Sequence, residues 1–213
     1  KPNAKVTVNT GWDNKKVSTK SDNQGNWVAD ITTPSFGGPF DIVITDGTSK
    51  TLNDVYVGEV WLCSGQSNME MPMRGFTGQP VENSQEMIAE ANNRRNIRLF
   101  RQENAWSTTC KNDIANAKWE KATSDAVAQF SAVGYVFADQ LEKSLDVPVG
   151  IIQCAWSMST IQAWMPRETF TTQFPDIELP NINGTEQDFG WLQGTPTLLW
   201  NAMVNPWKGF PIA

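Results

Sequence analysis

The sequence predicts a small β domain followed by a three-layer α/β/α domain, with the boundary between residues 55 and 56. Residues 1–55 contain short segments of alternating polarity separated by turn-forming clusters. From residue 56 onward, apolar runs alternate with helical patterns. Two of these runs, "VYVGEVWLC" and "VPVGIIQCAW", are nearly continuous, which is typical of strands buried on both faces. The repeated strand-then-helix order favours a parallel sheet.

The β domain, residues 1–55, is predicted from four segments. These are "KVTVNT", "KKVSTK", "NWVADIT" and "FDIVIT", separated by the turn-forming clusters "WDN", "DNQG" and "PSFGGP". Their spacing indicates part of a β-sandwich. A piece of this size exposes edges and one apolar face, so we expect it to pack against another element.

The α/β domain, residues 56–213, is predicted to place helices between its strands. We expect "VENSQEMIAEANN" to form a helix, "NIRLFRQ" a strand, and "AVAQFSAVGYVFADQLEKSL" one long amphipathic helix. The apolar positions of that long helix are Val127, Phe130, Val133, Val136, Phe137 and Leu141. The last stretch, "TPTLLWNAMVNPWKGFPIA", predicts a helix from about Thr195 that breaks near Pro206.

Composition excludes several functional classes. The net charge of −6 and the isoelectric point near 4.7 disfavour nucleic acid and anionic lipid surfaces as partners. No apolar run approaches the roughly 20 residues that cross a bilayer, so no membrane insertion is expected. The three cysteines form no C-x-x-C pair and there is no histidine, so we expect no metal site and no cofactor. Cys63 and Cys154 are predicted to be buried apolar residues, and a disulfide at Cys110 is left open.

Ten tryptophans are many for 213 residues, and indoles serve two purposes. They stack on sugar rings, or they fill cores. Trp27 and Trp61 lie in alternating strand patterns and are predicted core residues. Four others have polar or loop-like surroundings, and for these both purposes stay open: Trp106, Trp156, Trp164 and Trp191.

Two predicted strands end in polar motifs, Ser64–Asn68 and Trp156–Thr160. Ligands of open α/β sheets bind at the carboxyl edge of the strands, so we expect the two motifs to meet there. Gly65 permits a turn that would project Ser67 from this edge. A nucleophilic serine needs a base within hydrogen-bond reach and donors for the oxyanion. Yet the sequence contains no histidine.

The run "GEVWLCSGQSNMEMPM" resembles the first block of the sialate O-acetylesterase group of SGNH hydrolases, which also includes acetylxylan esterase-like proteins. Further resemblance lies in "NIRLFRQ", "FSAVGYVFADQLEKSLDVPVGIIQ", "IQAWMP" and "LLWNAMVNP", all in the expected order. The resemblance implies a flavodoxin-like SGNH fold and deacetylation of O-acetylated sugars through an acyl-serine on Ser67, whose N–H contributes to the oxyanion hole. The implied oxyanion and substrate pocket comprises Gly65, Gln66, Asn68, Ser157, Met158 and Ser159. The implied sugar contacts are Trp156, Trp164 and Gln162.

The second block departs from the family pattern. Such enzymes resemble Trp-Gly-Gly-Thr there, whereas Trp156 is followed by Ser157, Met158 and Ser159. Ser157 can still donate its N–H to an oxyanion if its φ is not positive. Gln162 stands where a glutamate is common. Glu70, three residues after Ser67, is expected to turn onto a neighbouring loop. A carboxylate is also a poor base for a serine.

The blocks that in this family carry a Trp-Tyr-Gln-Gly-Glu pattern and the catalytic histidine would follow Ala213. We therefore expect a truncated member, inactive alone, with an uncovered sheet edge that promotes self-association. Two alternatives stay open: a non-catalytic carbohydrate-binding protein, and a subunit completed by another chain. Sialic acid and plant-polysaccharide sugars are both open as substrates. An extracytoplasmic location is expected by analogy with proteins that act on such sugars.

Overall fold

The computed structural model describes residues 1–94 and 96–212. The chain folds as two compact units, Lys1–Glu59 and the residues from Val60 onward. This division lies four residues after the predicted boundary at 55/56. Within the described ranges, no helix is both long and apolar enough to cross a membrane.

The first unit is built on one antiparallel sheet. Its strands are β1 (Lys5–Thr10), β2 (Lys16–Lys20), β3 (Gly37–Thr45) and β4 (Ser49–Val57), in the order β2-β1-β3-β4. All three pairings between neighbours are antiparallel. Val6, Val8 and Thr10 of β1 are buried, as an alternating strand with one covered face requires. The described part of this unit holds a single sheet, and its place in a β-sandwich stays a prediction.

The third predicted strand of this unit is wrong. Residues 26–32 form no strand but lie in the connection from β2 to β3, and Trp27, a predicted core residue, is 38% exposed. Alternating polarity is not sufficient for a strand, because a strand also needs a partner, and both sides of β1 and of β3 are already paired. The fourth strand of the observed sheet is β4, which includes the first residues of the run "VYVGEVWLC". Gly58 separates β4 from the next strand within that run.

The second unit is built on a four-stranded mixed sheet. Its strands are β5 (Glu59–Gly65), β6 (Ile97–Arg101), β7 (Trp119–Lys121) and β8 (Val149–Ala155), in the order β5-β8-β6-β7. β6 and β8 run parallel, with Ile97 opposite Val149 and Arg101 opposite Gln153. β7 is antiparallel to β6 and forms an edge, so the sheet is not parallel throughout. Among the described strands, β5 lies at the other edge of the sheet and not at its centre, and most of its residues are half-buried.

Successive side chains along β6 and β8 point to opposite faces, and both faces are covered. On one face, Leu99 and Ile151 belong to a cluster with buried residues of the helices, among them Val127, Phe130 and Tyr135. On the other face lie Phe100, Ile152 and Cys154, which pack in two clusters with Leu199, Met203 and Trp207. A sheet covered on both faces by helical segments is the predicted three-layer arrangement.

The helical segments are short. The α-helices are α1 (Ser67–Glu70), α2 (Ser84–Glu90), α3 (Ser124–Gln129), α4 (Ala132–Leu145) and α5 (Arg167–Gln173). Single 3-10 turns lie at Ala91–Asn93, Ile161–Trp164, Glu186–Asp188, Leu192–Gly194 and Asn205–Trp207. The predicted C-terminal helix is partly a π-helix, Trp200–Val204, which continues into the last of these turns at Pro206.

The predicted long helix is two helices, α3 and α4. Ser131 ends the first run because its side chain accepts the N–H of Gly134 at 3.1 Å and thereby caps α4. The break changes which residues face the core. Val133, Val136 and Phe137, predicted on the apolar face, are 50%, 38% and 38% exposed. In their place α4 buries a different set: Ala132, Gly134, Tyr135, Ala138 and Asp139.

Candidate active site

The two strand-end motifs meet at one edge of the second sheet. The N–H of Trp156, just after β8, donates to the carbonyl of Gly65, the last residue of β5, at 3.1 Å. Gly65 has φ of +155°, and a Cβ on it would lie 3.3 Å from the Cβ of Met69. The tight turn after β5 therefore requires a glycine.

Ser67 begins the one-turn helix α1 directly after this turn. The N–H groups of Met69 and Glu70 each donate to the carbonyl of Gln66 at 2.9 Å, which closes the turn. The hydroxyl of Ser67 donates to Oε1 of Gln66 at 3.2 Å. An amide oxygen does not take up a proton at neutral pH, so this partner orients the hydroxyl but cannot act as its base.

A cavity of about 330 Å³ opens beside Ser67. Its lining residues are Gly65, Gln66, Ser67, Asn68, Met69 and Val133. The structure thus brings together the four predicted residues of the first motif. Val133 is an addition that sequence reasoning assigned to the core face of a helix.

The second motif has its special backbone conformation at Met158. This residue has φ of +63° and a side chain that is 67% exposed. Ser157 is not among the residues with positive φ, so it meets the condition for donating its N–H. The hydroxyl of Ser159 accepts the indole N–H of Trp164 at 2.8 Å, which fixes the loop after β8 to the following 3-10 turn.

The carboxylate of Glu70 connects two loops at this edge of the sheet. Oε2 accepts the N–H of Ser157 at 2.6 Å, and Oε1 accepts the side-chain amide of Asn104 at 2.9 Å. Glu70 thus turns onto neighbouring loops, as expected. The N–H of Ser157, predicted to face an oxyanion, is directed at a carboxylate in this structure.

The tryptophans and Gln162 occupy different environments. Trp61, a predicted core residue, is half-buried against the helical face of the sheet, and Trp106, Trp156 and Trp164 are half-buried against the opposite core cluster. Trp191 is 47% exposed and lines a surface cavity formed by residues 185–193. The half-buried Gln162 accepts the N–H of Thr197 on its backbone carbonyl at 3.0 Å. Its side chain is not tied to Ser67 by any hydrogen bond in the described residues.

Sequence reasoning missed three asparagines that shape this edge. The side-chain amide of the buried Asn201 donates to the carbonyl of Ser107 at 3.0 Å, and that of Asn205 donates to the carbonyl of Lys111 at 2.9 Å. Both hold the loop that begins near Asn104. Asn104 itself follows β6, and its place beyond the carboxyl end of a parallel strand was a usable signal.

The cysteines behind the site are poor nucleophiles. All three cysteines are free, so Cys110 forms no disulfide in this chain, and its thiol instead donates to Oδ1 of Asn201 at 3.3 Å. Burial raises the pKa of the half-buried Cys63 thiol and raises the pKa of Cys154 to about 12. Both thiols are therefore protonated at neutral pH. Cys154 is buried as predicted, whereas Cys63 is only half-buried.

Comparisons with known proteins identify the family of this chain. Residues 57–194 match the family model described as carbohydrate esterase, sialic acid-specific acetylesterase. The chain is 26% identical over 215 residues to the human sialate O-acetylesterase, covering 94% of this chain and 39% of that protein. It is 27% identical over 227 residues to the mouse sialate O-acetylesterase, covering 90% and 41%.

A solved structure extends the agreement to the fold. The crystal structure of a carbohydrate acetylesterase from Xanthomonas citri superposes with a TM-score of 0.82 at 31% sequence identity, covering 99% of this chain and 43% of that one. The SGNH-type α/β fold is thereby confirmed. The chain spans about two fifths of the length of the curated relatives. Because the family model matches more than half of its residues, the chain belongs to the sialic acid-specific acetylesterase family of carbohydrate esterases.

Proposed function

We propose that this chain carries the nucleophile of a serine esterase that removes acetyl groups from O-acetylated carbohydrates, with Ser67 as that nucleophile. One observation carries the proposal. Ser67 stands at the first position of α1, over a cavity of about 330 Å³, at the edge where the ends of β5 and β8 are joined. Ligand sites of open α/β sheets lie at this edge.

In the proposed reaction, Oγ of Ser67 attacks the carbonyl carbon of the acetyl group. The tetrahedral intermediate collapses by breaking the bond to the sugar oxygen, which takes up a proton, and leaves an acetyl-serine. Water then releases acetate and restores the hydroxyl. Backbone N–H groups near Ser67 would stabilise the oxyanion, a contribution of about 10² to 10³ in rate per donor in other hydrolases.

The proton acceptor is the missing element of this site. The hydrogen-bond acceptor of the Ser67 hydroxyl is the neutral amide of Gln66, and the 213 residues include no histidine. We therefore propose that this chain alone turns over weakly or not at all. Loss of a triad member commonly lowers kcat by about 10⁴ or more.

The test separates the nucleophile from the base. With imidazole added as the proton acceptor, a fluorophosphonate probe should label the chain at Ser67, located by peptide mass spectrometry, and should not label a Ser67→Ala variant. Hydrolysis of a chromogenic acetyl ester should rise when imidazole is added to the native chain, beyond the rise seen with Ser67→Ala. Labelling at another serine, or equal rates in the two proteins, would refute Ser67 as the nucleophile.

The proposed substrate pocket comprises the cavity residues together with Ser157, Met158 and Ser159, and the proposed sugar contacts are Trp156, Trp164 and Gln162. The exposed side chain of Met158 lies next to the amide of Ser157, within reach of a ligand at this edge. Sialic acid and plant-polysaccharide sugars both remain candidates. Binding of acetylated sialic acid and acetylated xylo-oligosaccharides to the inactive Ser67→Ala variant, measured by calorimetry, would choose between them.

A second candidate function is non-catalytic carbohydrate binding. One observation favours it: the N–H of Ser157 is directed at Glu70, so a donor that the esterase reaction would use is occupied. A binding protein would retain sugars in the calorimetric experiment yet remain unlabelled by the fluorophosphonate even when imidazole is present. An esterase would show both properties.

We also propose that the chain self-associates and acts outside the cytoplasm. Val136 and Phe137 are exposed on α4, and exposed apolar side chains on a helix are typical of interfaces. Val136→Lys should lower the sedimenting mass at micromolar concentration if α4 is that interface. The location follows from the proposed substrate class and is tested by fractionating the source cells.

A further inference from the structure

Glu70 is the one side chain of α1 that bonds two other loops of the carboxyl edge at once, as far as the described residues go. Its carboxylate accepts the N–H of Ser157 from the loop after β8 at 2.6 Å and the side-chain amide of Asn104 from the loop after β6 at 2.9 Å. Each carboxylate oxygen thus has its own donor. Hydrogen bonds to an ionised acceptor are shorter and about twice as strong as neutral ones.

The same residue is rigidly connected to Ser67. Both lie in the single turn of α1, and the N–H of Glu70 donates to the carbonyl of Gln66 at 2.9 Å. Residues three apart on a helix share a face, so Glu70 and Ser67 lie on the same side of α1. Fixing Glu70 therefore fixes Ser67 relative to both loops.

An N–H group has one hydrogen, and that of Ser157 is held by Glu70. An acyl oxyanion could use this N–H only by displacing the Glu70 carboxylate, which is bonded on its other oxygen to Asn104. A neutral ester carbonyl is a weaker acceptor than a carboxylate, so it does not displace it in the ground state.

We infer that Glu70 is a positioning residue: it clamps the loops after β6 and β8 onto the helix of Ser67, and the N–H of Ser157 belongs to this clamp rather than to the bound ester. The functional half of this inference rests on the proposed role of Ser67. The clamp itself consists of three groups joined by two hydrogen bonds and is testable without any turnover.

Two variants alter the hydrogen bonds of the clamp to different degrees. Glu70→Ala removes both acceptors. Glu70→Gln keeps one oxygen for Ser157 and, after a flip of the Asn104 amide, offers its NH₂ group to Oδ1, which restores both bonds without charge. Glu103 provides the matched control, since it neighbours Asn104, is exposed, and forms no hydrogen bond or ion pair among the described residues.

The first readout is amide hydrogen exchange of Ser157, followed by NMR in the full chain. We expect exchange to accelerate about 10- to 100-fold in Glu70→Ala, to accelerate less in Glu70→Gln, and to stay unchanged in Glu103→Ala. Equal exchange in the native protein and Glu70→Ala would overturn the clamp. If Glu70→Ala does not fold, the Glu70→Gln comparison decides the question.

The second readout is the rate at which a fluorophosphonate labels Ser67 with imidazole present as the proton acceptor. Misplacing a reacting group by about 1 Å costs about 10² in rate, so we expect Glu70→Ala to be labelled about 10- to 100-fold more slowly, with partial rescue in Glu70→Gln. An unchanged rate would show that Glu70 does not position Ser67. A faster rate would show that the carboxylate blocks the site, which also contradicts the inference. If the native chain is not labelled at Ser67, the proposed function fails, and the exchange experiment alone decides the clamp.

Discussion

The two strand-end motifs of the candidate site each contain a residue with positive φ, but the residue type differs. After β5, a φ of +155° falls on Gly65, whereas after β8 a φ of +63° falls on Met158. Glycine adopts such angles without steric cost, but a residue with a Cβ loses about 1–2 kcal/mol. The first motif, which keeps the family pattern, is therefore held by backbone geometry. The second motif, which departs from it, depends on side-chain bonds from Glu70 and Trp164.

The strands that precede the two motifs also differ, in the burial of their cysteines. Cys154 of β8 is fully buried and its pKa is raised by burial to about 12, whereas Cys63 of β5 is half-buried. At pH 8 an ordinary thiol of pKa about 8.5 has about 10³ times more thiolate than Cys154. We expect iodoacetamide to modify Cys154 at least about 10³-fold more slowly than the same cysteine in denaturant, as measured by peptide mass spectrometry.

The sign of the pH dependence follows from the raised pKa. Since the protonated form predominates up to about pH 12, the modification rate of Cys154 should rise about tenfold for each pH unit between 7 and 10. A Cys110→Ser background removes the exposed thiol and keeps a hydroxyl for Asn201. If Cys154 reacts as fast as Cys63 in this background, β8 is not the more protected strand.

A Cβ at the first turn should be costly. We expect Gly65→Ala to lower the free energy of unfolding by about 2 kcal/mol, because φ is +155° and the new methyl group would approach Cβ of Met69 to 3.3 Å. Urea titration measures this change. Gly190→Ala is the control, because its Cβ would meet no atom within 4 Å and its φ is not positive. Equal stability of the two variants would mean that the turn after β5 does not depend on glycine.

The side-chain support of the second motif should be weaker. Trp164→Phe removes the indole N–H that donates to Oγ of Ser159 at 2.8 Å, and we expect a loss of about 1 kcal/mol. Ser159→Ala removes the same bond from the other end. In a double-mutant cycle the two losses should therefore not add. Additive losses would show that each residue acts through other contacts.

The sequence correctly predicted the elements that depend on a local pattern. It failed where strand pairing or helix capping determines the structure. Strands β6 and β8 are buried on both faces, and their apolar runs identify them without knowledge of the neighbours. Residues 26–32 have a similar alternation but no partner strand. The long helix failed at Ser131, because serine is acceptable in a helical pattern and only its bond to Gly134 reveals the cap.

The candidate site shows the same limit. The turn at Gly65 and the place of Ser67 at the sheet edge follow from the order strand, glycine, serine. The role of Glu70 does not, because its partners Ser157 and Asn104 lie 87 and 34 residues away in sequence. A single sequence gives the type of a side chain, but hydrogen bonds over such separations depend on how three loops converge.

The smallest expected effect is at Met158, where two substitutions distinguish the contribution of the backbone conformation from that of the side chain. Met158→Gly should raise the free energy of unfolding by about 0.5 kcal/mol, because the relief of about 1–2 kcal/mol from the left-handed conformation exceeds the larger entropy of the unfolded glycine chain. Met158→Ala keeps the Cβ and therefore the strain. Because the methionine side chain is 67% exposed, the alanine variant should match the native protein. A glycine variant less stable than the alanine variant would show that the turn after β8 tolerates a Cβ, and the two motifs would then differ in what their backbones require as well as in their side-chain bonds.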